Sequence, residues 1–128
     1  MKLVSGVDLV YLPRFKKSLN NGGENFLRRV YLESELSRHL RGEESYAHPV
    51  KHLEGEIEHL AGIIAAKEAV IKALDLPGGS WLNILIKHPR SGAPKAVLTH
   101  HSSLITHHSL SISHDGQYVI AQFVALLK

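Results

Sequence analysis

Apolar and polar positions alternate along 3–10, interrupted by Gly6 and Asp8, a period of two that predicts an opening β-strand. Pro13 suits the first turn of a helix running through Phe15 and Leu19, and Asn20-Asn21-Gly22-Gly23 is expected to stop it. Two short helical pieces follow at 25–30 and 33–41, carrying Phe26, Val30, Leu36 and Leu40. Residues 42–52 are polar, are punctuated by Pro49 and read as a loop. The strongest periodic segment runs over 56–74. There Leu60, Ile63, Ile64, Ile71 and Leu74 recur at helical spacing, Ala65, Ala66, Ala69 and Ala73 add propensity, and Pro77-Gly78-Gly79 ends it. Residues 81–87 and 95–99 read as strands about a turn at Ser91-Gly92-Ala93-Pro94, and 100–108 has no clear period. Residues 110–113 and 118–126 read as a closing hairpin about Asp115-Gly116. Sequential strands around one long helix predict an α+β fold over 1–128 as a single domain, with an antiparallel sheet packed against a long central helix.

Composition narrows the classes. With 128 residues, 44% hydrophobic and mean hydropathy −0.06, the chain can build a core, so global disorder is excluded. No run reaches the roughly 18–20 apolar residues of a membrane span, and Asp8 arrives too soon for a signal-peptide core. The absence of cysteine excludes disulfide scaffolds, thiolate zinc sites and thiol nucleophiles, and fits a reducing cytoplasm. The net charge of +3 is unevenly spread. Arg14, Lys16, Lys17, Arg28 and Arg29 oppose Glu24 alone, whereas Glu43, Glu44, Glu54, Glu56 and Glu58 oppose Lys51 alone. The basic third suits an acidic protein, a phosphate-bearing ligand or ordinary solvated helix faces. Nucleic acid is the weaker partner, because aromatics are only 6% and no binding signature interleaves with the bases.

Three positions break the local pattern, and such breaks are where function is worth seeking. Asp8 is a carboxylate inside an apolar strand, which reads either as an edge acid or as a hard-cation ligand on a rigid support. On the long helix, with Leu60 at zero, Lys67 falls at about 340°, inside the apolar arc, and Glu68 and Lys72 border it at about 80° and 120°. Lys67 must therefore snorkel, pair with a buried acid or backbone carbonyls, or face a ligand. Glu68 and Lys72 have the spacing of a surface ion pair, and equally the make-up of a site for metal-bound polyphosphate. His114 ends the short Ser111-Ile112-Ser113 strand before a turn, as a structural group, a phosphate donor or a proton carrier. His100, His101, His107 and His108 match no familiar zinc spacing.

Taken in order, Gly6-Val7-Asp8, Arg14, Phe26-x-x-Arg29 with Glu35-Leu36, Leu60-Ala61-Gly62-x-x-Ala65-Ala66-Lys67-Glu68-Ala69-x-x-Lys72-Ala73, Gly92-x-Pro94 and Ser111-x-Ser113-His114 resemble the holo-acyl-carrier-protein synthases. These are small 4′-phosphopantetheinyl transferases. The resemblance implies that fold, and transfer of the phosphopantetheine arm of coenzyme A to a serine of an apo acyl carrier protein, releasing adenosine 3′,5′-bisphosphate. It implies Asp8 and Glu68 as Mg²⁺ ligands and Asp8, Glu68, Lys72 and His114 as the catalytic set. Lys72, Gly92, Pro94 and His114 would contact coenzyme A, and Arg14 and Lys17 would receive the acidic carrier protein. It further implies a homotrimer with active sites between subunits, Asp8 from one chain and Glu68 from its neighbour.

The departures from that pattern cluster around the outer coenzyme A grip. Ile63-Ile64 stands where an Arg-Phe is common, and 75–81 replaces a Gly-Thr-Gly segment. Gly92-Ala93-Pro94 lacks the usual central lysine, and Glu54-Gly55-Glu56-Ile57-Glu58 is acidic where the family is often basic. Each lost cation weakens phosphate binding by about 1.5–3 kcal/mol where it made a charge-assisted hydrogen bond. Lys51, His52, Lys87 and Lys95 are the candidates to compensate. If they do not, the alternative is a non-catalytic carrier-protein-binding or nucleotide-binding relative.

Overall fold

The structure, a computed structural model, describes residues 1–36 and 54–128. The loop expected at 42–52, the end of the helix expected at 33–41, and Lys51 and His52 lie outside the described residues. In chain order the elements are β1 (Lys2–Tyr11), α1 (Leu12–Val30), α2 (Glu33–Leu36), α3 (Ile57–Leu74), β2 (Ile84–Lys87), β3 (Lys95–Leu98), β4 (Ile105–Asp115) and β5 (Tyr118–Leu127). Short 3₁₀ turns occupy Glu54–Glu56, Ser80–Asn83 and Ser102–Leu104.

The strands form two antiparallel sheets rather than one: β1-β5-β4, and a separate β2-β3 hairpin. Alternation along β5 is clean. Val119, Ala121, Phe123 and Ala125 are buried toward the core, while Tyr118 and Ile120 face outward. α3 lies across the inner face of this sheet, with its most extensive contacts to β1 and β5. Residues buried all round it, from Leu60 through Ala73, mark it as the central helix of the core.

One crossing sets the geometry of everything that follows. At Gly6 a Cβ would stand 2.0 Å from the Ala69 carbonyl oxygen and 2.8 Å from the Ala73 nitrogen, so β1 can touch α3 here only as glycine. Two residues beyond that contact is Asp8 on the strand; beside it on the helix are Glu68 and Lys72.

Several local expectations change. The Asn20–Gly23 stop is a kink: the helix continues to Val30 with only Gly23 leaving helical geometry, at φ 52° and ψ −133°. α3 ends two residues before Pro77, on Asp75 in the left-handed conformation, where the Leu76 N–H reaches back to the Ile71 carbonyl. Trp81–Asn83, expected as strand, is 3₁₀ turn, and β2 begins only at Ile84. Residues 105–109, in the stretch without clear period, extend β4.

Candidate active site

Where β1 crosses α3, Asp8, Arg14 and Glu68 line one cavity of about 240 Å³, together with Phe15, Phe26 and Ile64. Asp8 is half-buried, and its Oδ1 accepts a 3.0 Å hydrogen bond from Lys72 Nζ, which also donates to the Val7 carbonyl at 3.0 Å. The surface pair expected between Glu68 and Lys72 is not made, because Lys72 leans toward the strand. Glu68 is half-buried and accepts instead from the indole of Trp81, Nε1 to Oε1 2.8 Å. Among the described residues its Oε2 has no hydrogen-bond partner. Two acids, Arg14 and one unpaired carboxylate oxygen thus line an apolar-walled cleft, with Lys72 held against Asp8.

Lys67 is fully buried behind this cleft, and it pairs with a buried acid, as one of its three expected fates required. Its Nζ donates to Glu35 Oε1 at 2.6 Å and to the Val30 carbonyl at 2.7 Å. Glu35 also accepts from the backbone N–H groups of Leu32 and Ile86, so the ion pair as a whole joins α1, α2, α3 and β2. Burial holds the Lys67 ammonium below its ordinary pKa, and Glu35 opposes that shift by charge and hydrogen bond. Beside them the buried Tyr31 hydroxyl donates to the Leu60 carbonyl, and burial, with the Glu35 charge, pushes its pKa well up.

The other expected site residues lie elsewhere on the chain. His114 Nδ1 sits 3.2 Å from Glu58 Oε2, at the opposite end of α3. Glu58 and Glu68 are ten residues apart on that helix, a rise of about 15 Å. Gly92 is exposed in the β2–β3 turn at φ 92°, and Pro94 lines a different cavity with Lys95 and His108. Lys17 is exposed on α1. Asp8, Glu68 and Lys72 are brought together; His114, Gly92 and Pro94 are not brought to them within one chain. Asp8 and Glu68 line the same cavity of the same chain, which corrects the expectation that neighbouring subunits supply one each. The Gly6 crossing is the reason.

Ile63, where the resemblance led one to look for a cation, is buried core. It borders a larger cavity of about 640 Å³ on the hairpin side of α3, whose lining includes His59, His88, Lys87 and Lys95. The two lysines are register partners across β2–β3. Among the described residues no three metal-ligating side chains cluster, the four late histidines included. His108 instead rests on Phe123 and accepts from the Ala96 N–H.

Sequence reasoning did not single out Trp81 or assign Glu35 a role. Only Trp81 carried a signal, as the chain's single tryptophan within a segment that departs from the pattern. Lys67 in the apolar arc left a buried acid as one of several expected partners, without saying which acid.

The sequence profile of the 4′-phosphopantetheinyl transferase superfamily matches residues 5–123, from β1 through most of β5. The chain belongs to that superfamily. It is 36% identical over 97 residues to the holo-[acyl-carrier-protein] synthase of Verminephrobacter eiseniae, covering 73% of this chain and 66% of that one. To the synthase of Thermodesulfovibrio yellowstonii it is 40% identical over 91 residues, covering 70% and 71%. The fold is also that of the Helicobacter pylori holo-[acyl-carrier-protein] synthase solved with coenzyme A, with TM-score 0.75, 28% identity and coverage of 95% and 99%. Family, relatives and fold agree that this chain is a phosphopantetheinyl transferase of the holo-[acyl-carrier-protein] synthase type.

Proposed function

We propose that this transferase moves the 4′-phosphopantetheine arm of coenzyme A to a serine of an apo acyl carrier protein, with Mg²⁺ and release of adenosine 3′,5′-bisphosphate. The observation that carries the reading is the convergence of Asp8, Glu68 and Lys72 at the Gly6 crossing of a chain in this superfamily. The donor set suits the metal: two carboxylates lining one cavity, one with an unpartnered oxygen, are hard ligands of the number Mg²⁺ takes beside substrate phosphates. When bound there, Mg²⁺ supplies charge neutralisation on the pyrophosphate.

The chain's own groups do the rest. The serine oxygen bonds to the phosphorus that carries the pantetheine, and the bond from that phosphorus to the bridging oxygen breaks. The adenosine bisphosphate leaves with that electron pair. The serine proton is released to water, since Glu68 Oε2 is the oxygen offered to the metal. Lys72 exchanges Asp8 for a phosphate oxygen, an exposed partner swap of small cost. The hairpin-side cavity with Lys87 and Lys95 would take the adenosine 3′-phosphate end and replace the cations missing at Ile63 and Ala93. Arg14 and Lys17 on α1 would meet the acidic carrier protein.

A homotrimer fits the surface. Leu3, Val7, Leu9, Tyr11, Tyr118 and Ile120 form an exposed apolar outer face of the β1-β5-β4 sheet, with Leu9 opposite Ile120 and Tyr11 opposite Tyr118. In that trimer a neighbour's His114 and Gly92-Pro94 turn would complete the Asp8–Glu68 cleft. The cytoplasm, where coenzyme A and carrier proteins meet, is the matching compartment, and no described helix is long and apolar enough to cross a membrane.

The test is to incubate the chain with coenzyme A, Mg²⁺ and an apo carrier protein and weigh the carrier by mass spectrometry, with and without EDTA. One phosphopantetheine gained only with metal is expected, and Asp8→Ala should abolish the gain while remaining folded. No gain across several carriers at high coenzyme A would overturn the reading. Sedimentation should show a three-chain mass, and a fully active monomer would overturn the trimer.

A further inference from the structure

Among the described residues the only hydrogen bond to the Glu68 side chain comes from an aromatic ring thirteen positions later in the chain, Trp81 Nε1–H to Oε1 at 2.8 Å. Local backbone is bent to deliver it. The helix closes on Asp75 at φ 53°, and Gly79 turns the chain again at φ 85°, a conformation that strains any side chain. The Ser80 hydroxyl donates to the Pro77 carbonyl and closes the loop between them. Trp81 then opens into the 3₁₀ turn with its indole half-buried against α3.

The chemistry of the donor matters as much as its placement. An indole N–H donates and cannot accept, carries no charge and does not titrate in water. It cannot compete for a cation, and its hold on Oε1 does not change as phosphate and metal charges arrive. The two lysines nearest in the sequence are engaged elsewhere, Lys67 with Glu35 and the Val30 carbonyl and Lys72 with Asp8 and the Val7 carbonyl. A carboxylate on a stem of two methylenes would otherwise rotate between presenting either oxygen or both. With Oε1 engaged, Oε2 is the one oxygen left.

We infer that Trp81 is a positioning residue for the transfer reaction, its indole N–H fixing the Glu68 carboxylate so that Oε2 alone is available to the reacting groups. This rests on the role of Glu68 proposed above. Trp81 is also the chain's single tryptophan, so its emission reports the state of Glu68 without any label.

Two measurements decide it. In the carrier-modification assay, Trp81→Phe keeps an aromatic ring and removes the donor. Its kcat should fall about tenfold or more, the scale of a hydrogen bond to a charged group, with KM for the apo carrier protein within about twofold of wild type. In the unsubstituted protein, Mn²⁺ added with coenzyme A should quench Trp81 emission, and Glu68→Gln should remove that response. Wild-type kcat in Trp81→Phe overturns the inference, as does emission that ignores Mn²⁺ and coenzyme A at concentrations sustaining turnover. Should Trp81→Phe fail to fold, the emission experiment decides alone. Full activity in Glu68→Gln would mean that the role of Glu68 itself had failed. An inactive Glu68→Gln beside a fully active Trp81→Phe would sink only the positioning role.

Discussion

Two lysine–carboxylate pairs sit one and a half turns apart on the same helix, and they differ in almost every physical respect. Lys67–Glu35 is 2.6 Å long with side chains 0% and 2% exposed; Lys72–Asp8 is 3.0 Å long at 54% and 18%. The first is surrounded by satisfied donors and acceptors: the Val30 carbonyl and the Leu32 and Ile86 N–H groups complete it. Desolvation makes such a pair stay intact or fail outright, which suits a fastening between elements. The second keeps access to water, so a ligand can part it at little cost. Burial, rather than residue type, separates the lysine that holds the scaffold from the lysine free to act.

Breaking the buried pair should give the largest effect. Lys67→Met strands Glu35 in the core and should destabilise the chain by about 3–5 kcal/mol in chemical denaturation. Adding Glu35→Leu should recover most of that loss, since the charge is then gone as well; no recovery would mean that the tie to Ile86 matters more than the charge. Next comes the crossing that brings Asp8 beside Glu68. Gly6→Ala drives a methyl into the Ala69 backbone and should cost about 1–3 kcal/mol, occasionally more. It should also weaken turnover further than its stability loss explains, because β1 must lift from α3.

An intermediate case lies between the sheets, where His108 Nε2 accepts from the Ala96 N–H at 3.3 Å. Burial first, and then the Lys95 charge, lowers the His108 pKa from its ordinary 6.5. A lowered folded-state pKa means that the unfolded chain binds more protons in that window. The contribution is therefore full above pH 6.5 and lost as pH falls through the lowered value. His108→Phe should flatten this part of the stability profile, at a scale of about 1 kcal/mol for one hydrogen bond. Thermal melts between pH 5 and pH 7.5 would show it, and an unchanged slope would discount the contact.

Much of this was legible beforehand, and the reasons are physical. Lys67 inside the apolar arc of α3 had to snorkel, pair or face a ligand, and periodicity alone exposes that choice. Asp8 in an apolar strand and the Ala-Ala-Lys-Glu-Ala run carried both the site and the resemblance. Which acid meets Lys67 was not legible, because Glu35 approaches from a separate helix and periodicity describes one element at a time. Trp81 read as strand because aromatic and β-branched neighbours favour strands; the turn at Gly79 and the bond to Glu68 overrode that preference. The placing of Asp8 and Glu68 in one chain depends on how closely β1 approaches α3. A glycine in a strand hints at such an approach without naming what it touches.

The smallest stability effect should come from the open pair, and it is the most informative one. Lys72 is more than half exposed, so Lys72→Met should change unfolding free energy by less than about 0.5 kcal/mol. Whatever difference exists in low salt should vanish in 1 M NaCl, where screening acts within about 3 Å. The loss in Lys67→Met should persist in the same salt, because water and ions do not reach that pair. Yet Lys72→Met should reduce transfer about tenfold or more if its ammonium leaves Asp8 for a phosphate oxygen, since the charge then counts in the transition state rather than in the fold. A Lys72→Met protein as unstable as Lys67→Met, or as active as wild type, would erase the distinction between fastening and working lysine. A stable, salt-indifferent and slow enzyme would establish it.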